Sequence, residues 1–154
     1  MYLVRPAELS DLAAAAVLFD QYRQFYGQPS DAAAAERFLR ERLERKESAI
    51  FLAVWNSPTS GNAPVGFMQL YPLFSSVRLC RVWLLNDLFV AATHRGQGIG
   101  ALLLRHAVKF GRAAGAARLQ LETGVENTGA QRLYEAEGWS RDSSGFHYYI
   151  QIDE

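Results

Sequence analysis

Cysteine is nearly absent from this chain of 154 residues: Cys80 stands alone, so neither an internal disulfide nor a cysteine-based metal centre can form. Set among apolar residues in a strand-like run, Cys80 reads as an inert buried thiol. Histidine is scarce too. His94, His106 and His147 stand singly, without ligand spacing, and no metal site is expected; His106 reads as helix surface. Charge of one sign is not in excess, with 16 basic and 16 acidic residues, which removes the electrostatic argument for a nucleic-acid or membrane partner. No apolar run approaches the ~18 residues that span a bilayer, and the amino terminus MYLVRPAEL lacks a signal-peptide core. A cytoplasmic setting is expected by elimination. Repeats, low-complexity tracts and linkers are also missing, so one domain over residues 1–154 is expected.

What the chain does have is apolar periodicity, with 49% hydrophobic residues. Tyr2 to Arg5 reads as a first strand stopped by Pro6. Leu9, Leu12, Ala16, Phe19, Tyr22 and Tyr26 recur at helical spacing up to the breakers Gly27 and Pro29. A second helix is expected from about Ser30, its N-cap, to Lys46, with Ala35, Phe38, Leu39 and Leu43 inward and Arg40, Glu41, Glu44 and Arg45 solvated. Strands over 49–55 and 65–73 flank a turn over 57–62 as a hairpin. A long run over 79–90 is interrupted by Asn86-Asp87, which predicts a β-bulge. A helix from Gly98 to about Ala114, a strand over 118–122, a helix over 127–137, and strands over 139–141 and 146–152 complete the chain. The order β-α-α-β-β-β-α-β-α-β-β predicts a mixed α/β fold, a central mixed sheet with helices on both faces.

The most informative stretch follows the run 84–90. Arg95-Gly96-Gln97-Gly98-Ile99-Gly100 is a glycine-rich turn opening directly into a helix. Such a turn bares backbone N–H groups at the positive end of the helix dipole, which is a phosphate cradle. A P-loop is excluded, because no Gly-Lys-Ser/Thr closes the turn. A dinucleotide fingerprint fits poorly: the glycines run G-x-G-x-G, His94-Arg95 precede them, and too few βα units follow. An NAD(P)-binding protein is therefore a remote alternative.

Arg95-x-x-Gly98-x-Gly100 resembles the acyl-CoA signature of the GNAT superfamily of N-acetyltransferases. Asn127-x-x-Ala130-x-x-Leu133-Tyr134-x-x-x-Gly138-Trp139 resembles that family's second conserved segment, and the element order over the whole chain is similar. Locally, LLNDLFV and the segment from Asp20 to Tyr26 look most like the small-amine and polyamine branch, which includes the spermidine/spermine enzymes. The resemblance implies an acyltransferase moving acetyl from acetyl-CoA to a primary amine (small amine, polyamine or amino acid) in a ternary complex. It also implies a homodimer. A non-catalytic acyl-CoA sensor is the alternative.

The chemistry assigns candidates. Main-chain N–H groups of Gly96, Gln97, Gly98, Ile99, Gly100 and Ala101 would hold the pyrophosphate, and Arg95 either adds a charged contact or starts the turn. The resemblance lays the pantetheine arm beside Leu88, Phe89 and Val90, where a strand edge would be open and one N–H, of Phe89 or Leu88, would support the thioester oxyanion. It makes Tyr134 the general acid for the leaving thiolate; otherwise Tyr134 packs as an inward aromatic. Asn127 is a helix cap or a cofactor partner. An attacking amine must lose its proton, and Asn86 stands where the spermidine/spermine enzymes carry a glutamate. Either Asp87 or an ordered water relay must therefore serve as the base, Asp87 reading equally as a carboxylate that fixes the bulge; Glu122 is a further candidate or a surface charge. Tyr26, Trp83, Asn86 and Asp87 are expected to line the acceptor site.

Overall fold

The computed structural model describes residues 1–59 and 61–153. Ser60, inside the expected turn over 57–62, lies outside the described residues. Two compact units divide the chain, Met1–Glu122 and Thr123–Glu154.

The first unit is a five-stranded sheet in the order β1 (Tyr2–Pro6), β2 (Ala49–Ser57), β3 (Gly61–Ser75), β4 (Cys80–Val90) and β5 (Arg118–Gln120). The first four strands pair antiparallel; β5 runs parallel to β4. Helices α1 (Leu12–Phe25) and α2 (Ala32–Glu44) cover one face. Leu12, Ala16 and Phe19 of α1 and Ala35 and Leu39 of α2 close there on Ile50, Leu52, Val54, Phe67 and Phe89. Helix α3 (Ile99–Ala113) covers the other, where Phe110 meets Phe51 at 5.2 Å and Trp83 at 4.9 Å between ring centroids. His106 joins this layer, its ring 4.8 Å from Phe51, so it is not the plain surface residue its spacing suggests. No helix among the described residues is long and apolar enough to cross a membrane.

The expected bulge is present. Gln69 faces Asp87 and Leu70 faces Leu85, which leaves Asn86 as the extra residue of β4. One inserted residue reverses the side-chain alternation. Past the bulge, Asp87 and Phe89 turn to the α1 face; before it, Trp83 lies under α3.

The α1–α2 connection is tied down by Asp20. Its buried carboxylate accepts from Ser30 Oγ at 2.6 Å and from the Asp31 N–H at 2.7 Å. The N-cap of α2 is consequently Asp31, which accepts from the Ala34 N–H at 3.0 Å. Ser30, the expected cap, is already engaged by Asp20. The hydrogen bond from Ser30 above all, then that from Asp31, holds the Asp20 carboxyl below the usual carboxylate range.

The second unit contains α4 (Thr128–Ala136). The strands expected over 139–141 and 146–152 do not form, and the strand expected over 118–122 ends at Gln120. Alternation gives residues 146–152 the propensity of a strand, but a strand exists only as a ladder with a neighbouring backbone. Residues 139–153 have no such ladder. Cys80, expected buried, is a half-exposed free thiol at the start of β4.

Candidate active site

The site in the first unit is built from the end of β4, the turn after it and the first turn of α3. Strand β4 pairs with β5 only from Val82 to Leu84. From Leu85 to Val90 β4 has no β5 partner among the described residues. The Ala91 N–H to Val65 carbonyl bond sets the alternation, so Leu88 and Val90 turn their main-chain groups to that edge, while Phe89 faces Phe67 of β3. The Val90 carbonyl is taken by Arg95. An extended ligand carrying amides can pair with such an edge as a peptide would.

Beyond Val90 the chain makes one 3-10 turn, Ala92–His94, and reaches Gly96 at φ 74° and Gly98 at φ 79°. Both angles are left-handed and disfavour any residue with a Cβ. A Cβ at either position would meet nothing within 4 Å, so the glycines are required by backbone angle and face open space. Gly98 caps α3 without a side-chain cap, and the first helical bond runs from the Leu102 N–H to the Gly98 carbonyl. The N–H groups of Ile99, Gly100 and Ala101 therefore precede the helical ladder at the positive end of a 15-residue helix. No acidic residue stands in that first turn. This is an anion seat.

Side chains brace the turn. Arg95 Nε donates to the Val90 carbonyl at 3.0 Å, and the guanidinium lies over the Phe89 ring at 5.4 Å, so Arg95 builds the turn. The Tyr2 hydroxyl, on the edge strand β1, donates to Gln97 Oε1 at 2.5 Å. Gln97 thus has a bracing side chain as well as a main-chain N–H in the seat.

On the α1 face lies a buried polar group. Asp87 is buried and accepts from Gln69 Nε2 at 2.7 Å and from Asn86 Nδ2 at 3.1 Å. The Tyr22 hydroxyl stands between the Asp87 carboxylate and the Asn86 carbonyl, 3.3 Å from the latter, and its one proton serves either acceptor in turn. Burial raises the Asp87 pKa above the ordinary carboxylate value, and the bonds from Gln69, Tyr22 and Asn86 oppose the rise. Tyr26 stacks edge-on against Tyr22 at 5.1 Å on this face. Trp83, expected beside it, is on the opposite face under α3. The structure brings together Tyr22, Tyr26, Asn86 and Asp87, and leaves Trp83 out.

Two residues, Gln69 and Gly66, are missing from the sequence expectations, and a third does more than its spacing suggests. Gln69, wholly buried in the run Gly66-Phe67-Met68-Gln69-Leu70, carries the signal of an amide inside an apolar strand. Tyr22, read from the sequence as core or as part of an aromatic amine pocket, has a working hydroxyl. Gly66 permits close approach of β4, since a Cβ there would lie 2.9 Å from the Phe89 carbonyl oxygen.

In the second unit, Asn127 caps α4: its Oδ1 accepts from the Ala130 N–H at 3.3 Å, which leaves the amide nitrogen for another partner. Tyr134 is half-buried on α4, its ring centroid 6.4 Å from that of Trp139. No group of His, Cys, Asp and Glu that could hold a metal occurs among the described residues.

A family model described as the acetyltransferase (GNAT) family matches residues 15–139. The chain is 44% identical over 149 residues to the uncharacterized N-acetyltransferase YhfO of Bacillus subtilis, covering 97% of each protein. It is 37% identical over 93 residues to a probable acetyltransferase of Haemophilus influenzae, covering 60% of this chain and 61% of that one. A crystal structure of a probable acetyltransferase superposes with a TM-score of 0.91 at 40% identity, over 99% of both chains. The open strand edge, the bulge and the glycine seat thus stand in a chain that belongs to the acetyltransferase (GNAT) family and is an acyltransferase.

Proposed function

We propose that this acyltransferase moves an acetyl group from acetyl-CoA to a primary amine (a small amine, a polyamine or an amino acid) within a ternary complex formed by one domain over residues 1–154. The observation that carries the reading is the pair of left-handed glycines at the start of α3, beside the open half of β4. These residues fit coenzyme A. The seat from Gly96 to Ala101 has the main-chain donors and the positive helix end that a pyrophosphate needs, and the edge from Leu88 to Val90 suits an arm with two amides.

Acetyl-CoA, the acyl donor of the family, supplies an activated thioester. The chain's own groups do the rest. Asp87 takes the proton from the incoming ammonium, directly or through water, and its buried setting moves its pKa toward that task. Of the two N–H groups expected for the oxyanion, that of Phe89 faces Phe67 of β3, so the Leu88 N–H on the open β4 edge supports it. The Tyr134 hydroxyl gives a proton to the departing thiolate. Tyr22, Tyr26 and Asn86 line the approach on the α1 face. Calorimetry with acetyl-CoA, with NADH as control, is the direct test; micromolar binding of the first alone, followed by thiol release with amines, is expected. Heat from NADH only would reverse the reading, and binding without thiol release from any amine would leave a sensor.

Tyr134→Phe is expected to keep acetyl-CoA affinity and to lower kcat by roughly 10²-fold, the lower end for loss of a general acid. Equal turnover of the two proteins in a thiol-release assay would return Tyr134 to a packing role.

We further propose a homodimer joined through the carboxyl-terminal segment. Phe146, Tyr148, Ile150 and Ile152 alternate along it and are 83% to 92% exposed. Aromatic side chains bury about 150–250 Å² each. Covering Phe146, Tyr148 and Tyr149 on both copies therefore approaches the roughly 1,200–2,000 Å² of a stable interface. Sedimentation of the full chain is expected to give twice the chain mass, and Ile150→Asp with Ile152→Asp to give a monomer. A monomeric wild-type protein at tens of micromolar would refute this.

A further inference from the structure

Among the described residues Gln69 is the one wholly buried amide of the core, and both of its ends are engaged. Its Nε2 donates to Asp87 Oδ2 at 2.7 Å, and its Oε1 accepts from Ser48 Oγ at 2.7 Å. Ser48 lies just before β2 and is only partly buried, so the chain of bonds runs from the bulge toward the protein surface.

A carboxamide has one accepting and one donating end, whereas an ionised carboxylate only accepts. With Asp87 ionised, the amide must therefore turn its nitrogen to β4 and its oxygen to Ser48, and the Ser48 hydroxyl must donate. Protonated on Oδ2, Asp87 would donate at that oxygen instead, and the amide would turn over, accepting from Asp87 and donating to Ser48 Oγ; protonated on Oδ1, it leaves the amide as it stands. Only a hydroxyl can meet both arrangements, because it donates and accepts. An apolar side chain of similar volume would pack at position 69 without needing partners, and a buried amide costs free energy unless both ends are paired.

We propose that Gln69 and Ser48 are positioning residues for Asp87, an orientable amide and a two-way hydroxyl that hold this carboxylate as a hydrogen-bond acceptor ready to take a proton. The inference rests on the reading of Asp87 as the base. It extends that reading to two residues that act through Asp87 rather than on the substrate. The other groups around the carboxylate are Asn86 beside it on β4, Tyr22 from α1 and Tyr71 from β3. Tyr71 is pushed up to about 12, by burial first and by the charge of Asp87 second, with Arg42 opposing and Glu47 adding to the rise. It stays protonated across the working range, and the titration near the network belongs to Asp87.

The test is carbon-13 NMR titration of carboxyl-labelled aspartate in the full chain without substrate, with Asp87→Asn assigning the resonance. Removing the donor at 69 with Gln69→Leu should raise the Asp87 midpoint by on the order of one to two pH units. Ser48→Ala should raise it by less, and Ser48→Thr, which keeps the hydroxyl, should restore it. The acid limb of kcat/KM should move with the midpoint while the plateau kcat is retained. An Asp87 midpoint unmoved in folded Gln69→Leu and Ser48→Ala overturns the proposal. Should Gln69→Leu fail to fold, the serine pair decides alone. A midpoint that moves without the acid limb following upholds the positioning of Asp87 and overturns its role as base, so the two claims fail separately.

Discussion

Gly98→Glu is expected to abolish acetyl-CoA binding, weakening it by about 10³-fold or more, while the protein stays folded. Two effects compete at this position. A non-glycine residue at the left-handed angle of Gly98 costs about 1–2 kcal/mol. No neighbouring atom obstructs the side chain. A carboxylate at a helix start also interacts favourably with the dipole, which offsets part of the strain. The fold should therefore survive. Binding should not, because the new charge occupies the seat meant for an anion, and two like charges ~4 Å apart near a surface repel by about 4 kcal/mol. Gly98→Asn separates the causes: asparagine tolerates the left-handed region and carries no charge, so it should retain binding to within about tenfold. Calorimetry on the three proteins, with circular dichroism as the folding check, decides. Undiminished affinity in Gly98→Glu would remove the phosphate seat from α3.

The residues that the sequence made legible are those whose signal is local. Gly98 announces a left-handed angle that few other residues tolerate, and the structure gives it; Gly100, expected to share that freedom, is helical within α3, and Gly96 takes the second left-handed position. Asn86-Asp87 announces a bulge because a polar pair breaks an apolar strand, and the register slips there. What escaped depends on partners distant in sequence. Trp83 and Tyr26 were expected to share a pocket, but one extra residue at Asn86 changes which face each later side chain takes, and the sign of that change is visible only in the pairing with β3. Gln69 could be noticed in its strand, yet its meaning comes from Asp87 and Ser48, 18 and 21 positions away. Ser30 and Asp31 are both good helix caps, and the choice between them is made by Asp20 on another helix. Residues 146–152 show the opposite limit: their alternation is clear, but alternation cannot supply the neighbouring backbone that a strand requires.

Asp87→Asn carries the second large effect and should move activity and stability in opposite directions. Asparagine keeps the shape of the side chain but cannot take a proton, so kcat/KM at neutral pH should fall by on the order of 10²–10⁴-fold. Stability follows from the direction of the Asp87 shift. Burial raises the folded-state pKa above the ordinary carboxylate value, so the neutral form is the one folding favours. The contribution of that group is fully present below its unfolded pKa and is lost as pH rises through the folded value. At pH 7 the wild-type protein holds an ionised carboxylate in a buried site, and the asparagine variant does not. Thermal unfolding should therefore show Asp87→Asn more stable at neutral pH, with the difference shrinking as pH falls toward the carboxylate range. In the wild-type enzyme kcat/KM should rise with pH through the raised Asp87 pKa, and that limb should be missing from the residual activity of the variant. A variant that is both slower and less stable would make Asp87 a structural pin of the bulge, whereas one that is more stable and fully active would place the base elsewhere, with Glu122 the next residue to replace.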